Sequence, residues 1–271
     1  MFPQLKNAYK QFLFNLSANN SALYSLFYKY LYRPQQGTLA ELLDEFSRRN
    51  KNITFLQVGA NDGFFHDPLH KFIKKYGWRG VLLEPQPDVF KRYLSRLYAN
   101  TAGVIPVNAA LDHEDGTKPI YRIAFSDSRW ATGLTSFSRE AVEEAIDSGH
   151  VARCAARYGE TLPDDRTQFI REEPIQCISP STLLRTYGLS KLDWLQIDAE
   201  GYDYEIIKMM DIAKTSPRVI VFEDSHLSKQ AYVDCSNLLR SNGYEITKII
   251  ENTVAMKKPV TGFEKYFTPY K

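Results

Sequence analysis

The chain's first apolar run breaks into a glycine-rich turn, Phe55-Leu56-Gln57-Val58-Gly59-Ala60-Asn61-Asp62-Gly63, and then resumes as a helical pattern. A strand that ends in such a turn and feeds a helix opens an α/β sheet, whose ligands bind outside the carboxyl ends of the strands. Gly59 and Gly63 allow a tight turn beside a ligand, and Asn61 tolerates positive φ better than most residues. A glycine turn alone also serves plain strand–helix packing.

The alternation continues downstream. Residues 53–58 predict a strand, and Asp67-Pro68 an N-cap followed by proline at the first helical position. Leu69, Phe72, Ile73 and Tyr76 give that helix an apolar stripe, and Gly77 ends it. Residues 81–83 and 104–107 read as strands around a helix at 88–98. Residues 113–180 break the rhythm: 117–125 reads as an added strand, 138–148 as a helix between Ser138 and Gly149, and 150–172 as a charged excursion. Regularity returns with strands at 192–197 and 218–222, helices at 202–211 and 228–242, and a closing antiparallel pair at 245–250 and 253–257 turning at Glu251-Asn252. The expectation is an α/β three-layer sandwich around a mostly parallel sheet with an antiparallel C-terminal hairpin.

Residues 37–271 form this domain, opened by the capping box Thr38-x-x-Glu41 and a helix to about Arg48. Residues 1–36 form a separate aromatic helical arm. Residues 1–33 hold nine aromatics and no acid, with Leu5, Tyr9, Phe12, Leu13 and Leu16, then Leu23, Phe27, Tyr30 and Leu31, at helical spacing. The arm is expected to pack on the body or on a second subunit. The alternative is a peripheral membrane foot at the inner membrane face, because lysines flank the aromatics.

Composition narrows the class. With 44% hydrophobic and 24% charged residues the chain is ordinary globular protein, and 271 residues suffice for a large core. The net charge of +2 comes from four basic residues in 1–40, leaving 30 basic against 32 acidic residues beyond, which is no nucleic-acid footprint. Three cysteines without a CxxC pair point to a reducing compartment and away from structural zinc. No apolar run approaches the ~18 residues of a spanning helix. The broken apolar patch Phe12–Leu16 is unlike a cleaved signal peptide. A cytoplasmic enzyme is expected.

Glu84 sharpens the reading of the glycine turn. It ends an apolar strand 21 residues after Gly63 and precedes Pro85. An acid there can hold both hydroxyls of an adenosine ribose; the other reading is a surface glutamate. A dinucleotide normally uses GxGxxG to seat its pyrophosphate, whereas this turn is G-x-N-x-G and Asp62 repels phosphate. S-adenosylmethionine, which ends in an amino acid, tolerates Asp62 because its ammonium attracts a carboxylate. Methyl transfer is therefore favoured over hydride transfer. A nicotinamide-dependent oxidoreductase shares the turn and Glu84 and remains the alternative, as does a non-catalytic binding module.

Taken in order, the motifs resemble the FkbM-type family of S-adenosylmethionine-dependent methyltransferases. The matching pieces are Val58-Gly59-Ala60-Asn61-Asp62-Gly63, Leu83-Glu84-Pro85, Val107-Asn108-Ala109-Ala110-Leu111, Leu195-Gln196-Ile197-Asp198-Ala199-Glu200-Gly201-Tyr202-Asp203 and Val221-Phe222-Glu223. The resemblance spans about residues 53–250. It implies a class I methyltransferase fold, a Rossmann-like, seven-stranded sheet whose last strand is antiparallel. It also implies O-methylation of a hydroxyl on a sugar, glycan or related small molecule, with Glu84 on the ribose and Asn108-Ala109 near the adenine. Residues 131–136 resemble a family loop that closes over the cofactor. Many members carry an acid where Gln57 stands; here Asp62 is the expected partner of the methionyl ammonium.

A sugar hydroxyl is a poor nucleophile until a base removes its proton or a metal lowers its pKa. Asp198 ends the fourth parallel strand, Glu200 follows, and Glu223, Asp224 and His226 cluster after the fifth. Asp198, His226 and Glu223 are the catalytic candidates, His226 because imidazole titrates near neutrality. Asp198, Glu223 and Asp224 form a candidate Mg2+ set. The plainer reading of Glu200 and Glu223 is that they accept backbone bonds and hold loops. Among the remaining histidines, His70, His113 and His150 read as surface or loop residues, while His66 stands close to the glycine turn.

Overall fold

The computed structural model describes the backbone of residues 2–267, with side chains from residue 8 onward. Among the described residues ten strands are formed: β1 Thr54–Val58, β2 Arg79–Leu83, β3 Val104–Val107, β4 Ala110–Leu111, β5 Gly116–Ile123, β6 Ile170–Ile178, β7 Trp194–Ile197, β8 Val219–Glu223, β9 Tyr244–Ile249 and β10 Asn252–Lys257. Seven of them make one sheet in the order β3-β2-β1-β7-β8-β10-β9. The first five run parallel, and β10, last in the chain, lies antiparallel between β8 and β9. This is the class I methyltransferase sandwich. The hairpin turn falls at Ile250-Glu251, one residue before the expected place, and Asn252 already pairs with Ile249 and Glu223.

The central strands are apolar on both faces because helices cover both. Phe55, Leu82, Trp194 and Val219 pack under the helices Leu39–Arg49 and His70–Tyr76. Leu56, Val58, Leu195, Ile197 and Phe222 pack under Pro180–Thr186, Asp203–Met209 and Lys229–Ser241. Thr38 caps its helix as predicted, its Oγ1 accepting from the Glu41 N–H. The helix after Asp67-Pro68 begins only at His70, so Pro68 lies before it, and Asp67 Oδ1 holds the approach by accepting from the N–H groups of Leu69 and His70 at 2.9 and 2.6 Å.

The insertion is more regular than its charge pattern implied. Residues 150–172, read above as an excursion, contain the helix His150–Tyr158 and the start of β6, which joins β4 and β5 in a second, three-stranded sheet. The exposed residues Arg171 and Glu172 at the start of β6 masked the strand.

The arm packs on the body, although by a different stripe from the expected one. Phe14, Ser17, Ala18 and Tyr24 are buried, and Phe14 meets Phe64 and Tyr93 edge-on at 5.6 and 5.8 Å. Tyr9, Phe12, Leu23, Phe27, Tyr30 and Leu31 are exposed instead, and the side chains of Leu5 and Lys6 lie outside the described residues. Helical spacing fits two adjacent stripes here, because both are aromatic. The polar anchor is His70, which is buried rather than on the surface: Ser17 Oγ and Tyr24 OH lie 2.8 and 3.2 Å from its Nε2, and Tyr98 OH 3.1 Å from Nδ1. Burial drives its pKa well below the ordinary imidazole value, so the ring is neutral.

Because Phe14 is fully buried in the main core, Phe14→Ala should lower unfolding free energy by about 3–5 kcal/mol. Urea denaturation followed by circular dichroism measures it; a loss below ~1 kcal/mol would detach the arm from the core.

Candidate active site

A cleft of about 1070 Å³ opens at the carboxyl ends of β1, β2, β7 and β8. Its floor is set by a close approach at the centre of the sheet. Gly59 turns at φ +80°, and a Cβ there would lie 1.8 Å from the Asp198 carbonyl oxygen. The N–H groups of Gly59 and Ala60 both donate to the Leu83 carbonyl, at 3.1 and 2.9 Å, while Asp198 N–H donates to the Val58 carbonyl at 3.0 Å. The ends of β2, β1 and β7 are thereby pinned together. Gly63, by contrast, faces the helical segment behind the turn, where an added Cβ would come within 2.5 Å of Leu94 Cδ1, and it does not line the cleft.

Glu84 is buried at the tip of β2. Its two carboxylate oxygens accept from the N–H groups of Asn61 and Gln86, at 2.7 and 2.8 Å. It therefore holds the glycine turn while keeping lone pairs toward the cleft, and burial raises its pKa to about 7. Pro85 and Ala109 line the same wall. Asn108 does not; its amide donates to the carbonyls of Glu84 and Pro85 at 2.8 and 3.0 Å and braces the strand ends.

Asp62 is committed to the turn. Oδ1 accepts from the N–H groups of Phe64 and Phe65, both at 2.8 Å, and Oδ2 lies 3.4 Å from Arg129. Behind it sits a buried pair that spacing did not reveal: Gln57 Nε2 donates to Asp67 Oδ2 at 2.6 Å. Both residues line the cleft, Gln57 Oε1 is buried with no partner, and burial pushes Asp67 up to about 6. Asp67 was legible only as a helix cap.

The opposite wall holds the acids of β7 and β8. Asp198, Glu200, Glu223 and His226 all line the cleft. His226 Nε2 lies 3.2 Å from Glu200 Oε2 and 3.9 Å from Glu223 Oε1. Burial, then the neighbouring Glu223, raises Asp198 to about 6. Burial, then Asp198 and Glu223, raises Glu200 to about 8. Asp203, raised to about 7 by burial and Asp198, accepts from the N–H groups of Ala199 and Gly201 and shapes the turn that carries Glu200 at φ +48°.

Asp224 corrects the expected Mg2+ set of Asp198, Glu223 and Asp224. Its carboxylate is bound to Thr253 Oγ1 and to Lys248 at 3.0 Å, away from the cleft. Among the described residues no group of three acid, histidine or cysteine side chains is placed to hold a metal ion.

The insertion closes the cleft. Residues 132–136 line it, with Gln86 Nε2 donating to the Thr132 carbonyl at 3.0 Å and Asn61 Nδ2 to Thr132 Oγ1 at 3.4 Å. Arg129, Trp130 and Tyr158 complete that wall. Arg129 is the cation that attracts Asp62, Glu84, Asp198 and Glu200, and nothing in its sequence surroundings announces it.

The sequence profile described as the methyltransferase FkbM domain matches residues 57–246. No curated protein matches the chain. Among solved structures, an FkbM methyltransferase from Methylobacillus flagellatus is 12% identical with a TM-score of 0.44, over 76% of this chain and 43% of that one. The chain thus spans less than half of that protein's length. An O-methyltransferase from Bacillus cereus in complex with S-adenosylhomocysteine is 12% identical with a TM-score of 0.39, over 90% of each chain. Fibrillarin from Aeropyrum pernix, with natively bound S-adenosylmethionine, is 11% identical with a TM-score of 0.38, over 89% of this chain and 76% of that one. With more than half of its residues inside the profile match, this chain belongs to the FkbM methyltransferase family.

Proposed function

We propose that the protein is an S-adenosylmethionine-dependent O-methyltransferase acting on a hydroxyl of a sugar, glycan or related small molecule. The observation that carries the reading is the His226–Glu200 pair, 3.2 Å apart, in the same cleft as the glycine turn and Glu84. Family membership supports methyl transfer, and the pair supports oxygen as the acceptor, because a hydroxyl needs a base.

The donor set fits the cofactor. Glu84 is offered to the ribose hydroxyls, Ala109 and Pro85 to the adenine. Gln57 Oε1, the buried oxygen without a partner, is offered to the methionyl ammonium with Asp67 behind it. Asp62, the expected partner, acts instead by holding the turn and Arg129. When bound, S-adenosylmethionine supplies an electrophilic methyl group. The chain's own work is positional and protic. Asp198 orients the acceptor hydroxyl, and the His226–Glu200 pair, joined through Nε2, serves as the base that takes its proton.

S-adenosylhomocysteine should bind and raise the melting temperature, whereas NAD should not. Gln57→Leu should weaken S-adenosylhomocysteine about tenfold and leave adenosine affinity unchanged, since only the amino-acid end loses a hydrogen bond to a charged group. Calorimetry with both ligands decides; equal losses would move the ammonium elsewhere.

Asp198→Asn keeps the shape and removes the charge. It should lower kcat by about 10²-fold or more with little change in cofactor affinity, read as methyl-donor turnover on a matched acceptor. Turnover at the wild-type rate would remove Asp198 from catalysis.

The raised carboxyls set opposite pH trends for stability and rate. Asp67 and Asp198 move from 3.8 to about 6, Asp203 from 3.8 to about 7, Glu84 from 4.5 to about 7 and Glu200 from 4.5 to about 8. The folded chain therefore holds more protons than the unfolded one across this window. Its stability is full below the ordinary carboxyl values and is lost as pH rises through the folded ones. The ligand-free melting temperature should fall between about pH 5 and pH 8, whereas kcat/KM should rise as Asp198 and Glu200 lose protons. Differential scanning fluorimetry and a pH–rate profile test both; parallel trends would contradict the assignment.

A further inference from the structure

The arm buries one stripe and leaves its neighbour bare. Tyr24 is buried and Tyr28 and Tyr32 half-buried, with successive ring centroids 4.6 and 5.3 Å apart along the body. Leu23, Leu26, Phe27, Tyr30 and Leu31, at helical spacing, are all exposed, Leu23 by 74% and Leu31 by 70%. With Tyr9 and Phe12 they make seven of the eleven exposed large apolar side chains among the described residues. Apolar surface gathered in this way marks an interaction site.

Charge selects the occupant. Residues 1–40 hold Lys6, Lys10, Lys29 and Arg33 and no acid. Beside the arm, Lys71 lies 5.1 Å from the Tyr32 ring centroid and Lys74 reaches Asn20 Oδ1 at 2.7 Å. A second copy docked by two-fold symmetry would bring the same cations together with no acid on the stripe to neutralise them. An anionic lipid surface suits both features, since leucine and aromatic side chains enter the acyl boundary while lysine and arginine meet the headgroups. The first arm helix, Phe2–Ala18, also lends Lys10 and Gln11 to the cleft wall, so the arm adjoins the cleft.

We infer that residues 9–33 are an interfacial foot that seats this protein on an anionic lipid bilayer through Leu23, Leu26, Phe27, Tyr30 and Leu31, with Lys29 and Arg33 at the headgroups. The inference does not depend on the chemistry of the cleft.

Sedimentation of the full chain with phosphatidylglycerol–phosphatidylcholine vesicles, against phosphatidylcholine alone, tests it. Binding to the anionic vesicles that weakens with added salt is expected, and the triple change Leu26→Ser, Phe27→Ser, Leu31→Ser should weaken it at least about tenfold. Hydrogen exchange on the unmodified chain provides a readout free of any folding defect in the variant: residues 22–31 should gain protection on anionic vesicles. No sedimentation, salt-independent binding to neutral vesicles, or a folded triple variant that binds like the wild type would overturn the proposal. Protection of 22–31 that rises with protein concentration in the absence of lipid would assign the stripe to a second copy and also overturn it.

Discussion

Backbone contact between Gly59 and Asp198 is the constraint on which the site depends. The Cα of Gly59 lies so close to the Asp198 carbonyl that a Cβ would overlap it at 1.8 Å. That closeness brings the end of β1 against the end of β7. The Leu83 carbonyl then collects both N–H groups of the Gly59-Ala60 step and draws in β2. Two carboxyls far apart in the chain, Glu84 and Asp198, consequently line one cleft. A side chain at Gly59 would push β1 and β7 apart and separate the two halves of the site together.

The cleft carries an electrostatic load that the rest of the fold must offset. Glu84, Asp203 and Asp67 are buried, and each accepts backbone or amide hydrogen bonds that lower its pKa, yet burial dominates in all three. Such sites are destabilising when ionised and are tolerated because the core beneath is large and dry. The twin apolar layers under β1, β7 and β8 provide that support.

Much of this was legible because the strands are short, apolar and bounded by glycine and proline, so the order of elements and the antiparallel closing strand followed from pattern alone. Glu84, Asp198 and His226 were legible because they sit one to four residues past strand ends, where a parallel sheet presents its ligands. The rest depended on distance in space. Asp67 reads locally as a cap, and only the fold sets it behind Gln57. Asp224 follows Glu223 directly, yet it turns toward Lys248 and Thr253. Arg129 stands in an insertion whose solvated strands lack clean alternation, so no periodicity marked it. The arm misled for a different reason: two neighbouring aromatic stripes give the same helical period, and the network of Ser17, Tyr24 and His70 selects between them.

The charge of the cleft bears on the choice between methyl and hydride chemistry more directly than the glycine spacing does. Among the described residues eight acidic side chains line it against two basic ones, Lys10 and Arg129. A pyrophosphate would add negative charge to a wall that already keeps Glu200 protonated to about pH 8 and Asp198 to about pH 6. Arg129, 3.4 Å from Asp62, is a single guanidinium among these acids and does not carry enough charge to neutralise both them and a diphosphate. A ligand carrying a sulfonium and an ammonium relieves the same repulsion that raises those carboxyls, and its binding should release protons from them. The crowding of acids that weakens the fold as pH rises would, taken as a whole, also favour a cationic ligand over an anionic one.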